Sequence, residues 1–258
     1  MSALRLRPLA AAPVDLPHVW HGQEMACAEA GAISSGYPVL DAELPGGGWP
    51  LGLVEVLQDR PEQHVWQLTG PALDHALKSQ AGPVVLVAAP FDPFLSSLRA
   101  HGIPADRLLW IRAIHPAERL WAAEQALRCG EVAGVLAWLP KASSTELRRL
   151  QIAAQQHSRL LFVFRTLRCA QDASPARVRL QVAGTEAMEI RILKRRGPSL
   201  ATTLLLPAYP ARLAALLEAR KLRPAARPHL AQLSQLAPSP TAIPVGRLHV
   251  LDRIAAPG

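Results

Sequence analysis

The chain has 258 residues, half of them hydrophobic, and a formal net charge of +8 at pH 7. That length suits one α/β domain with an appendage, or two small domains, and supplies enough apolar material for one buried core. Its three cysteines, Cys27, Cys129 and Cys169, are odd in number and lack C-x-x-C spacing, which argues against a disulfide framework or a zinc site and suits a reducing cytosol.

Residues 1–30 read as a loose N-terminal arm. The opening apolar stretch is short and broken by Pro8 and Pro13, unlike a secretory signal. No apolar run approaches the roughly 20 residues that cross a bilayer, so a cytoplasmic chain without a membrane role is expected. Next comes a glycine-rich turn, Gly46-Gly47-Gly48, running into an apolar strand that ends near Leu57. These glycines precede the strand, so they suit a tight turn with positive φ rather than a nucleotide loop.

A phosphate loop would follow that strand as G-x-x-x-x-G-K-[ST]. Its glycines let backbone N–H groups wrap the phosphates, its Lys supplies charge and its hydroxyl binds Mg²⁺. The residues present are Gln58, Asp59, Arg60, Pro61, Glu62, Gln63, His64 and Val65. Both glycines are missing, His64 stands in the Lys position and Val65 replaces the hydroxyl residue. The sequence therefore assigns no catalytic residue and no cofactor. The pairs His18 and His21, or Asp59 and His64, lack metal-ligand spacing, so no metal is assigned either.

Apolar runs at Val84–Ala89, Leu108–Ile111, Val135–Trp138 and Leu160–Phe164 recur about every 25 residues and suit buried strands. Between them, Pro116–Gly130 starts with Pro, ends in Gly and aligns Leu120, Ala123 and Leu127 on one helical face. Ser143–His157 opens on a capping-box pattern with Glu146 and aligns Leu147, Leu150 and Ala154. Alternating β and α elements of this length predict a mostly parallel sheet flanked by helices, over residues 31–206. Two alternating stretches, around Val178–Val182 and Ile190–Ile192, predict an antiparallel hairpin at the sheet edge, with one face wet and basic.

Residues 207–258 read as an amphipathic helix over 210–222 followed by a Pro-punctuated tail. The apolar residues there that suit a protein partner are Leu213, Leu217, Leu230, Leu233, Leu248, Val250 and Leu251; the tail either folds back on the core or waits for that partner. Trp20 and Trp49, in loops, are further interface candidates, whereas tryptophans inside strands and helices suit core packing.

Charge is unevenly placed. Residues 1–140 carry 9 Lys and Arg against 14 Asp and Glu, while residues 141–258 carry 19 against 6. Within the second part, Arg165, Arg168, Arg177, Arg179, Lys194, Arg195 and Arg196 suit nucleic acid or an acidic partner. The competing reading is a solvated basic edge that discourages strand pairing.

Several stretches resemble the ImuA family, RecA-like accessory proteins of bacterial translesion synthesis. Among them are Pro17-His18-Val19-Trp20-His21-Gly22, Leu44-Pro45-Gly46-Gly47-Gly48-Trp49-Pro50, Val135-Leu136-Ala137-Trp138-Leu139-Pro140 and Leu193-Lys194-Arg195-Arg196-Gly197. The similarity runs in order over residues 17–200, and SulA-type cell-division inhibitors share part of the same frame. The resemblance implies a RecA-like fold and a role in the SOS response. Its implied partners are an ImuB-type protein and, through it, an error-prone C-family DNA polymerase and the sliding clamp. RecA and single-stranded DNA are further candidates. Beside RecA, the Walker B acid would fall near Trp138, and the water-polarising acid after Ala89 is absent. A residual DNA-dependent ATPase and a SulA-like inhibitor of the cell-division GTPase are the alternatives.

Overall fold

The computed structural model describes residues 31–198 and 200–209, with the single positions Ala215 and Ala219. By contact density the chain divides into two compact units, Met1–Ala214 and Ala215–Gly258. Everything below concerns the first. The expected N-terminal arm, the 210–222 helix and the Pro-rich tail lie outside the described residues.

The unit is an α/β sandwich around one eight-stranded sheet. In chain order the elements are α1 (Pro38–Asp41), β1 (Gly52–Gln58), α2 (Val65–Ser79), β2 (Val84–Val87), α3 (Leu95–Ala100) and β3 (Leu108–Ile111). They continue with α4 (Pro116–Arg128), β4 (Gly134–Trp138), α5 (Ser144–Gln156), β5 (Leu160–Thr166), β6 (Val178–Ala183), β7 (Ala187–Lys194) and β8 (Leu204–Pro207). The sheet order is β3-β2-β4-β5-β1-β6-β7-β8. Every pairing from β3 across to β6 is parallel, and β6-β7-β8 is antiparallel. The expected mostly parallel sheet with an antiparallel edge is present, with β8 as a further strand that continues it to Pro207.

Side-chain alternation along the strands sorts the core into two layers. Val54, Val56, Leu86, Leu136, Phe162 and Phe164 face α1, α2 and α3, joined on the antiparallel side by Met188 and Ile190. Leu53, Val85, Val135, Leu161 and Val163 face α4 and α5. Leu120, Ala123 and Leu127 of α4, and Leu147, Leu150 and Ala154 of α5, are all buried on that second side. Both faces being covered explains why these strands read as unbroken apolar runs.

Local signals set the boundaries. Pro116 opens α4, and Gly130 follows its end with φ 68°. At α5 the Ser143 hydroxyl accepts from the Glu146 N–H at 3.3 Å, and the Glu146 carboxylate accepts from the Ser143 N–H at 2.7 Å, the reciprocal cap the sequence predicts. Gly46 and Gly47 take φ of 79° and 76° in the turn before β1, as their position before the strand suggests. β2 stops at Val87, short of Ala89, because Ala88 turns to φ 53° and donates its N–H to the Ile111 carbonyl at 2.9 Å.

Candidate functional site

Open parallel sheets place ligands beyond the carboxyl ends of their strands. Here that edge is formed by Gln58, Val87, Ile111, Trp138 and Thr166. The segment after β1, where a phosphate loop would sit, is held down by neutral partners. Trp138, the last residue of β4, donates from Nε1 to the Pro61 carbonyl at 3.0 Å. The Gln58 amide donates to the Arg60 carbonyl at 2.6 Å. The Gln63 amide and His64 Nε2 both reach the Gly184 carbonyl in the β6–β7 turn, His64 at 2.8 Å. His64 itself enters α2 with φ 55°, a left-handed residue without glycine.

Aromatic rings cluster at the ends of these strands. Trp138 stacks on Phe164 with centroids 4.6 Å apart and planes 16° from parallel. Phe91 meets Trp138 edge-on at 5.4 Å, and Trp66 meets Phe91 edge-on at 6.4 Å. Such pairs contribute about 0.5–1.5 kcal/mol each beyond their burial. The cluster floors a cavity of about 720 Å³, with Asp59, Asp92, Trp110 and Arg112 on its rim. The Arg112 guanidinium sits 4.1 Å above the Trp110 ring and 3.5 Å from Asp92. A second cavity of about 210 Å³ adjoins it, walled by Lys141 and Glu146 among others. The Glu146 carboxyl is held below its usual range, first by the Ser143 backbone N–H and then by the Ser143 hydroxyl. Among the described residues no cluster of His, Cys, Asp and Glu is arranged to hold a metal ion, and no helix is long and apolar enough to cross a membrane.

The basic stretch does not stay together as a surface. Arg165 and Arg179 are buried. Both close on Glu55, a fully buried carboxylate in the middle of β1: Arg165 Nη1 at 2.9 Å and Arg179 Nε at 2.8 Å. Arg165 also reaches Asp172 at 3.1 Å and the Ala142 carbonyl at 2.9 Å. Arg179 donates to the carbonyls of Cys169, Ala170 and Asp172. The two guanidiniums thus staple the 3-10 turn Leu167–Gln171 to the sheet. Both were expected to meet nucleic acid or an acidic partner; instead a carboxylate inside the sheet has drawn them in, since a buried charge requires a paired and hydrogen-bonded partner.

The other predicted cations divide between two places. Arg168 is exposed in the 3-10 turn beyond β5. Lys194, paired in register with Arg179, is exposed at the end of β7 and donates to the Ser174 carbonyl at 2.8 Å. Thr166 at the end of β5 aligns with Gln58, and Arg179 aligns with Glu55, so these levels differ by about 10 Å along the strands. Arg195 is half-buried and pairs with Glu43 at 2.5 Å. Arg177 is half-buried and Arg196 exposed, and both have partners.

The tryptophans also depart from expectation. Trp49, read as an interface candidate, is fully buried: it bridges Ile33 and meets Phe162 edge-on at 5.3 Å. Trp121, inside α4 and read as core, is 64% exposed. Trp20, Leu213, Leu217, Leu230, Leu233, Leu248, Val250 and Leu251 lie outside the described residues. Sequence reasoning passed over Glu55, although a lone acid inside the apolar run Gly52–Gln58 is the signal that a buried counter-ion must exist.

Comparison with known proteins bears on this geometry. Residues 94–160 match the family described as cell division inhibitor SulA. Protein ImuA of Caulobacter vibrioides is 35% identical over 133 residues, which are 48% of this chain and 53% of that protein. Cell division inhibitor SulA of Edwardsiella piscicida is 34% identical over 104 residues, 40% of this chain and 62% of that one. The crystal structure of SulA from Pseudomonas aeruginosa aligns at 28% identity with a TM-score of 0.38, covering 45% of this chain and 99% of that one. The chain spans about half the length of the ImuA proteins it matches. The chain is thus similar to ImuA over about half its length and to the SulA family over residues 94–160, and the RecA/SulA-type reading of its sequence is consistent with both.

Proposed function

We propose that this protein is a non-catalytic accessory factor of SOS-induced translesion synthesis and mutagenesis. In this reading it works in the cytoplasm as an adaptor for an ImuB-type protein and, through it, for an error-prone C-family polymerase and the sliding clamp. RecA and single-stranded DNA are further candidate contacts. The observation that carries the reading is Trp138. Its ring occupies the strand-end position at which a RecA-type ATPase would hold its Walker B acid, and its N–H ties down the segment that would wrap phosphate. Phosphoryl transfer depends on that cradle and that metal shell. A rigid sheet with its nucleotide corner filled by rings retains value as a platform for other macromolecules. The likeness to ImuA supplies the pathway.

Deletion of the gene should lower the frequency of damage-induced mutations. The purified full chain should co-elute with the ImuB-type protein of the same cell. Unchanged mutagenesis together with independent elution would overturn the reading. A second reading, inhibition of the cell-division GTPase, is favoured by the SulA match over residues 94–160. It predicts filamentation on overexpression without DNA damage, and direct binding to that GTPase.

For nucleic acid, the exposed members of the basic set, Arg168, Lys194 and Arg196, are the proposed contacts. Single-strand affinity that falls steeply with salt, with a slope flattened by replacing Arg168, Lys194 and Arg196, supports them. Salt-independent or absent binding removes DNA from the list of partners.

A further inference from the structure

The two strand-end cavities form one groove, because Ile114, Arg119 and Pro140 line both. Its chemistry changes along its length. The larger cavity is lined by the rings of Phe91, Trp110, Trp138 and Phe164. At the waist Ile114 stands 80% exposed, a large apolar side chain left in water. Arg165 is neutralised by Glu55 and Asp172, and Asp92 lies 3.5 Å from Arg112, whereas Glu146, hydrogen-bonded by Ser143, keeps its negative charge in the smaller cavity. Asp59 remains at the far rim. Arg119 and Lys141 have no acidic partner among the described residues, and Arg119 spends only its Nε, on the Ala113 carbonyl at 3.1 Å. One end is therefore aromatic, while the waist and the other end carry a net positive charge, Arg119 and Lys141 against Glu146. The whole smaller cavity, from Ile114 to Glu146, and the Trp110–Pro140 side of the larger one fall within the stretch matched by the SulA family.

We propose that this groove docks an extended protein segment. The segment inserts one large apolar side chain (Trp, Phe or Leu) into the aromatic cavity, and sets an Asp or Glu from within a few residues of it against Arg119 and Lys141. A buried aromatic or aliphatic anchor beside an ion pair is how small interfaces concentrate their affinity. Single-stranded nucleic acid fits less well, since a base stacked in the larger cavity carries its phosphates past the exposed carboxylate of Asp59. The proposal rests on the adaptor reading and gives it a surface.

The test is to pan random ten-residue peptides displayed on phage against the full chain, then measure the selected peptides by fluorescence anisotropy with a twenty-residue oligothymidylate alongside. Selected sequences should pair a large apolar residue with an Asp or Glu within about four positions. Their affinity should fall at least tenfold in K141E and in I114D, both at exposed positions, and further in R119E. Circular dichroism melts establish that each variant is folded. No enrichment, enrichment without an acid, indifference to K141E and I114D, or oligothymidylate binding that these substitutions abolish would each overturn the proposal. Calorimetry with Mg²⁺-ATP on the same chain reports separately on the adaptor reading, so the two can fail independently.

Discussion

The carboxyl edge of the parallel strands and the basic stretch from Arg165 to Arg196 solve opposite problems. At the strand edge, aromatic rings pack against one another over the ends of the strands. In the basic stretch, two arginines that look like surface ligands have been drawn inward by a single acid in β1. The lesson is that a residue's type sets what it needs, and its neighbours across the sheet decide where that need is met. Glu55 lies in an apolar strand and requires cations; Trp138 ends a strand over open space and requires rings and an acceptor.

The sharpest way to break this contrast is to remove Glu55. Glu55→Ala leaves Arg165 and Arg179 buried without their shared counter-ion, and unfolding in denaturant should show a loss of about 3–5 kcal/mol. A loss below about 1 kcal/mol would mean that the network is not the staple described. Trp138→Ala should cost somewhat less, about 3 kcal/mol, through lost ring packing and a freed Pro61 carbonyl. It should also leave the chain without ATP hydrolysis, measured by phosphate release. Gain of activity on opening that corner would mean that the ring merely blocks a competent site.

These two positions also show how much was legible in sequence. The sheet, the two helices at 116–128 and 144–156 and the edge hairpin follow from apolar period and capping residues, because those signals are local. Helix α2 was less visible: Gly70-Pro71 in its middle reads as a breaker, and only packing of Leu68, Leu73 and Leu77 into the core sustains it. Strand β8 is four residues long and borrows its existence from pairing with β7. The loss of the phosphate loop was readable residue by residue. The burial of Arg165 and Arg179 was not, because their partner lies 110 or more residues away in sequence. Trp49 is buried through its bridge to Ile33 and its contact with Phe162, whereas Trp121 falls on the face of α4 turned away from the sheet, and neither outcome is local in sequence.

Smaller effects sharpen the comparison. Ser143→Ala should cost about 1 kcal/mol by removing the α5 cap. Because the Glu146 carboxyl is depressed in the folded state, its contribution is present above the ordinary carboxylate value and is lost as pH falls through the lower folded value. The stability difference between the unaltered chain and Glu146→Gln should therefore shrink on acidification, as chemical unfolding at stepped pH would show. A difference that stays constant to pH 2 would remove Glu146 from the cap. Arg168→Ala and Lys194→Ala, at exposed positions, should each stay within about 0.5 kcal/mol. A larger loss at either would place it in the core network beside Arg165 and Arg179.

Isothermal titration of the full chain with Mg²⁺-ATP tests the central claim most directly, because that claim concerns what the strand-end corner is built to hold. With Trp138 seated on Phe164 and the Gln58–His64 segment tied to Trp138 and Gly184, titration should give no saturable heat. Saturable binding at micromolar concentration, lost when the rings around the cavity are replaced, would contradict the account.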